Sequence, residues 1–178
     1  DWSKKVFVNI KKYLSSQSAK INCVIDGGFL SMLSKDPYKY DDWIMTPHIG
    51  EAAKLLNKKS LEIETDRLKA AKELQQRYGG IIILKGPETV IRTKTNSYIC
   101  SHGNQAMGTA GMGDCLAGTV LSLITLANKD DRISSILFAV GIHSLAADII
   151  KGETGEIGLL ASQVIIKINK LLNEIKVK

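Results

Sequence analysis

Apolar positions along the chain switch between short unbroken runs and a recurrence every three to four residues, which predicts strands and helices in turn. Residues 4–14 carry apolar side chains at helical spacing among lysines and predict a first helix. Ile21-Asn22-Cys23-Val24-Ile25 predicts a buried strand ending at Asp26. Trp43-Ile44-Met45 predicts a second strand that runs straight into Thr46-Pro47-His48. A short helix follows over 51–56. Thr65 or Asp66 suits the cap of the next helix, whose Leu68, Ala71, Leu74 and Tyr78 share one face, and Gly79-Gly80 ends it. Ile81-Ile82-Ile83-Leu84 is apolar without alternation, as expected of a parallel strand covered on both faces. After Lys85-Gly86-Pro87 the pattern predicts a hairpin, 89–92 and 98–100 around a Lys94-Thr95-Asn96 turn. Beyond a glycine-rich stretch at 103–118 everything reads helical: 116–126, then Ile133, Ile136, Leu137, Val140 and Ile149, then a stripe of Ala161, Val164, Ile165, Ile168, Leu171, Leu172 and Ile175. No repeat or linker interrupts the pattern. The expected class is α/β, a mostly parallel sheet flanked by helices, in a single domain over residues 1–178. Ligands are expected beyond the carboxyl ends of the strands.

Composition narrows the function classes. The 178 residues are 44% hydrophobic and 24% charged, which excludes disorder and supports a proper core. No uncharged apolar run approaches the ~20 residues of a membrane span, and the opening Asp-Trp-Ser-Lys-Lys does not read as a signal peptide. Three cysteines, Cys23, Cys100 and Cys115, lack metal-type spacing and point to a reducing cytoplasm rather than a disulfide framework. The net charge of +6 is concentrated in lysines near the two ends, with no interleaved aromatics for stacking bases. Solvated helix faces explain these lysines better than a nucleic-acid patch does, and the mild positive field suits a polyphosphate ligand.

Three segments carry chemistry. In Gly103-Asn104…Gly108-Thr109-Ala110-Gly111-Met112-Gly113-Asp114, glycines lead into a helix predicted to open near Gly113-Asp114. Glycine lets successive N–H groups converge, and a helix N-terminus offers an anion site suited to phosphate. Asp114 there reads either as a helix cap or as a base for a substrate hydroxyl. The Gly-Lys-Ser/Thr of a P-loop is absent. Thr46-Pro47-His48-Ile49-Gly50-Glu51 sets an imidazole and a carboxylate at the end of a strand. Glu51 is suited to hold magnesium through water, and His48 reads either as a ligand contact or as an ordinary loop residue. Lys85-Gly86-Pro87-Glu88-Thr89 offers a point charge and a hydroxyl for phosphate, or simply a turn. All three segments are expected on one rim.

Taken together, Thr46-Pro-His-x-Gly-Glu51, Lys85-Gly-x-x-Thr89 and Gly103-Asn…Gly-x-Gly-Asp114…Leu-Ala-Gly118 resemble the ADP/ATP-dependent NAD(P)H-hydrate dehydratases of the ribokinase-like superfamily, over nearly the whole chain. The resemblance implies a repair enzyme that phosphorylates the hydroxyl of hydrated NADH or NADPH and lets phosphate leave. It implies Asp114 as the base, His48 and Asp114 against the hydrate, and Lys85, Gly86, Pro87, Glu88, Thr89, Gly111 and Gly113 against the adenine nucleotide. Asn104 is a further site residue, and Glu51 sits on the magnesium side. The implied co-substrate is ADP or ATP with Mg2+, in a cytoplasmic homo-oligomer that binds small molecules and neither nucleic acid nor membrane. Three departures stand out: Asp26-Gly27-Gly28 replaces an Asp-Ala-Asp-like run, 107–110 is unusual, and the family's N-terminal part and fused epimerase domain are absent. Competing readings are a hydroxyethylthiazole- or pyridoxal-type kinase of the same superfamily, and a non-catalytic nucleotide-binding subunit. His102, His143, Cys115, Met107 and Met112 read as structural.

Overall fold

The computed structural model describes residues 2–16, 21–128 and 131–176, and its contacts divide the chain into two compact units, Asp1–Ile99 and Cys100–Lys178. The first unit runs α1 (Trp2–Ser16), β1 (Cys23–Ile25), α2 (Gly28–Lys35), β2 (Trp43–Met45), α3 (Ile49–Leu56), α4 (Ser60–Thr65), α5 (Arg67–Tyr78), β3 (Ile81–Leu84), β4 (Thr89–Arg92) and β5 (Ser97–Cys100). The sheet follows chain order. β1, β2 and β3 pair in parallel, with Val24 opposite Ile44 and Met45 opposite Ile82, while β4 pairs antiparallel to β3 and β5 lies beside β4. The sheet is therefore mixed, because the turn at 85–88 is far too short for the crossover of a dozen or more residues that a parallel partner needs.

Burial explains why these short runs are strands. Trp43, Ile44, Met45, Ile82, Ile83 and Leu84 are fully buried, so both faces of β2 and β3 are covered. Trp43, Met45, Ile82 and Leu84 pack with Leu30 and Leu33 of α2, Leu55 of α3, and Leu74 and Tyr78 of α5. Phe29, Tyr38 and Tyr40 surround the Trp43 indole edge to face, at centroid distances of 5.9–6.4 Å. Helices α2 and α4 were not anticipated. α2 follows directly on Gly27, whose φ of +53° breaks the chain direction, and α4 is a six-residue turn opened by the Lys59 N–H donating to Glu62 Oε1 at 2.7 Å. The first strand is also shorter than expected, starting at Cys23. Asp66, rather than Thr65, caps α5, accepting from the Lys69 N–H at 2.9 Å. At the other end of α5, Gly80 has φ +63°, and a Cβ there would lie 2.3 Å from the Trp43 carbonyl oxygen.

The described residues of the second unit form a short 3₁₀ turn (Gln105–Met107) and the helices α6 (Met112–Leu126), α7 (Arg132–Thr154) and α8 (Ala161–Lys176). Met112, Cys115, Ile142, Ala146, Ala147, Ile150, Leu159, Val164 and Ile168 form its core. At 23 residues, α7 is long and apolar enough to cross a membrane by length and composition, although its uncharged run ends at Asp148. Half of its apolar stretch is buried inside the chain, as in a core helix.

Candidate active site

In the first unit, chemistry collects at the carboxyl ends of the three parallel strands. β1 delivers Asp26, β2 delivers Thr46-Pro47-His48, and β3 delivers Lys85. Thr46 is fully buried and its N–H donates to the Ile25 carbonyl, while the Lys85 N–H donates to the Pro47 carbonyl, so the three strand ends are tied together at 3.1 and 2.8 Å. The Lys85 ammonium donates to both oxygens of Asp26, at 2.9 and 3.0 Å, and lies 4.0 Å from Glu51 Oε2. Lys85 is thus an internal counter-ion to Asp26. Asp26 is not among the site residues read from the sequence; an acid just past a buried strand is the signal that could have found it.

His48 is the cap of α3 rather than a loose loop residue. Its Nδ1 accepts from the N–H groups of Gly50 and Glu51 at 3.0 and 3.4 Å, and its own N–H donates to Glu51 Oε2 at 2.9 Å. With Nδ1 accepting, the ring proton sits on Nε2, and the side chain is 60% exposed. Gly50 permits this arrangement, because a Cβ there would lie 2.9 Å from His48 Cε1. Among the described residues no group of three or more His, Cys, Asp or Glu side chains could cage a metal. Glu51 and Asp26 do supply carboxylate oxygens, which fits a magnesium ion that keeps its waters and takes further ligands from nucleotide phosphates.

The turn after β3 has unusual backbone, with φ +143° at Gly86 and +52° at Glu88, and is closed by the Thr89 hydroxyl donating to the Gly86 carbonyl at 3.1 Å. Arg67, absent from the sequence-derived site, braces it. Its Nη2 donates to the Leu84 carbonyl at 3.1 Å, and a Cβ on Gly86 would meet that same nitrogen at 3.0 Å. Burial lowers the Arg67 pKa, against the opposing pull of Glu88 and Glu64, and its Nε is buried without a partner.

In the second unit, α6 opens at Met112, with Gly111 as its cap in the left-handed region at φ +80°. The Met112 and Cys115 N–H groups donate to Thr109 and Gly111 carbonyls, and among the described residues those of Gly113 and Asp114 have no backbone acceptor. The helix thus opens one residue before Gly113-Asp114, where the sequence placed its start, and free N–H groups at such an end are the geometry that suits an anion. Asp114 is the third residue of the helix, exposed, and makes no cap hydrogen bond. The capping reading of Asp114 is therefore corrected: glycine caps this helix, and the carboxylate remains uncommitted.

Asn104 lies in the loop before α6. Its Nδ2 donates to Asp148 Oδ1 at 2.8 Å and its Oδ1 accepts from the Ala106 N–H at 3.1 Å. Asp148 also accepts from the Gly103 N–H at 2.9 Å, with His102 Nδ1 at 3.3 Å. Burial pushes the Asp148 pKa up, and the hydrogen bonds from Gly103, Asn104 and His102 together outweigh it, holding the group below its ordinary value. Nothing in the sequence around Asp148 marked it. Cys115 is buried and its thiol pKa is raised by that burial, so its place at a helix start does not activate it. His143 is buried as expected, and burial lowers its pKa to about 4.

The model of the NAD(P)H-hydrate dehydratase family matches residues 3–170. The chain belongs to this family. Among family relatives, it is 38% identical to a bifunctional NAD(P)H-hydrate repair enzyme of Coxiella burnetii, over 97% of this chain and 34% of that protein. It is 33% identical to an ADP-dependent (S)-NAD(P)H-hydrate dehydratase of Neisseria meningitidis, over 79% of this chain and 50% of that one. A crystal structure of the Bacillus subtilis ADP/ATP-dependent NAD(P)H-hydrate dehydratase, co-crystallised with ATP/Mg2+, superposes with a TM-score of 0.78 at 25% identity, covering 89% of this chain and 57% of that one. The chain thus spans about a third to a half of the length of these family proteins, and somewhat more of the solved structure.

Proposed function

We propose that residues 1–178 act as the nucleotide-binding and catalytic domain of a dehydratase that uses ADP or ATP to remove the hydroxyl of hydrated NADH or NADPH. The observation that carries the reading is the start of α6, where two N–H groups without backbone acceptors and an uncommitted carboxylate share one helical turn. Asp114 takes the proton of the substrate hydroxyl as its oxygen attacks the terminal phosphorus, and the bond from phosphorus to the nucleotide breaks. The N–H groups at 113 and 114 hold the charge that spreads over the transferring phosphoryl oxygens. The ring nitrogen's lone pair then expels phosphate with the carbon–oxygen bond pair, leaving an iminium, and the departing phosphate takes a proton from the adjacent ring carbon, whose C–H pair forms the double bond of the dihydropyridine.

The remaining roles follow the chemistry of each group. His48 Nε2–H contacts the hydrate. Lys85, Gly86, Pro87, Glu88 and Thr89 meet the adenine nucleotide, with Gly111 and Gly113, and Asn104 supports its loop. Glu51 acts on the magnesium side, where Mg2+, when bound, neutralises phosphate charge. The reading further takes the protein as a homo-oligomer that binds neither nucleic acid nor membrane, and as cytoplasmic, a compartment that suits three free thiols among the described residues. The test is direct. Incubated with hydrated NADH, Mg2+ and ATP or ADP, the chain restores the near-ultraviolet absorbance of NADH. A chain that transfers phosphoryl from nucleotide only to a thiazole or pyridoxal alcohol, giving the phosphate ester, is a kinase instead.

A further inference from the structure

The loop between β5 and α6 is held by α7 near its start, where Gly103 and Asn104 both donate to Asp148. Gly103 has φ +110°, and a Cβ there would press to 3.2 Å on Met107 Sδ, so the loop is tightly set at this point.

The hydrogen bonds around Asp148 have a fixed polarity. A carboxylate only accepts, so the Asn104 amide must turn its NH2 toward Asp148 Oδ1. That leaves its carbonyl for the Ala106 N–H, which starts the 3₁₀ turn at Gln105–Met107. The turn then closes through the Met107 and Gly108 N–H groups, which donate to the Asn104 and Gln105 carbonyls.

We propose that Asp148 is a positioning residue: acting through Asn104, it fixes the 103–107 turn and so the loop that presents Gly111, Gly113 and Asp114. The proposal rests on reading the start of α6 as the phosphoryl-binding end.

Polarity supplies the test. In Asp148→Asn every amide orientation leaves one NH2 facing a donor, whether at Asn104, Gly103 or Ala106. In Asn104→Asp two carboxylates face each other. The double exchange, N104D with D148N, restores a complete set. Asn at 148 accepts from the Gly103 N–H and donates to Asp at 104, which accepts from the Ala106 N–H. We expect each single exchange to speed amide hydrogen exchange over 103–112 by about tenfold or more, and the double exchange to return it to near the parent rate. Turnover of hydrated NADH should follow the same order, with kcat per folded chain down about tenfold or more in the singles and recovered in the double exchange. A role in stability alone would instead lower the folded fraction and leave kcat per folded chain unchanged. A double exchange no better than the singles, in amide exchange or in kcat, overturns the proposal. If the parent chain turns over no hydrate, the functional reading fails by itself, and amide exchange still decides the relay.

Discussion

Asp114 carries the base assignment, and its surroundings make the assignment easy to isolate. Because Gly111 rather than Asp114 caps α6, Asp114→Asn should leave the thermal midpoint nearly unchanged. Turnover of the hydrate should fall about 100-fold or more, since Asn cannot take the proton. A variant with near-parental turnover would remove Asp114 from the mechanism. Lys85 behaves differently, because it neutralises the half-buried Asp26 carboxylate as well as facing the nucleotide turn. Lys85→Met should cost about 1–3 kcal/mol of stability by stranding that carboxylate. Adding Asp26→Asn should recover most of the loss without restoring nucleotide binding. If the two substitutions are simply additive in a denaturation series, the pair is not coupled in the way its geometry indicates.

Whole elements lean on a few positions. α5 and β3 can meet only because Gly80 has no side chain, and Gly80→Ala should destabilise the chain by about 2–5 kcal/mol, from backbone strain plus the clash with the Trp43 carbonyl. A urea midpoint within error of the parent would contradict that packing. α7 contributes a pH dependence through His143, whose folded-state pKa of about 4 lies below its value of 6.5 in the unfolded chain. Between these values the unfolded state binds the extra proton, so stability is complete above pH 6.5 and falls as the pH drops toward 4, by about 3 kcal/mol in total. His143→Gln should flatten this part of the profile, measured as unfolding free energy from pH 7 to 4.5. An unchanged slope would place the titrating group elsewhere.

For the molecule as a whole, the expected response to nucleotide is thermodynamic. ATP or ADP at 100 times its dissociation constant should stabilise the fold by about 2.7 kcal/mol, seen as a higher thermal midpoint, and Lys85→Met should lose most of that rise. A midpoint indifferent to both nucleotides would count against the nucleotide-binding turn. Much of this architecture is legible in the sequence. The unbroken runs at 43–45 and 81–84 announce covered parallel strands, and the double glycine at 79–80 announces the end of α5. The glycines before 114 announce a helix start. These signals are local, since periodicity and glycine geometry act within a few residues. Short elements such as α2 and α4 fall below that resolution, because six or eight residues hold too few apolar positions to define a period. What only the tertiary structure decides are the partnerships across long separations. Asp26 reaches Lys85 over 59 residues, Arg67 reaches under the turn at 86, and Asn104 reaches Asp148 over 44. No spacing rule links such residues. A charged group shows its role only once folding has brought up the neighbour that neutralises or orients it.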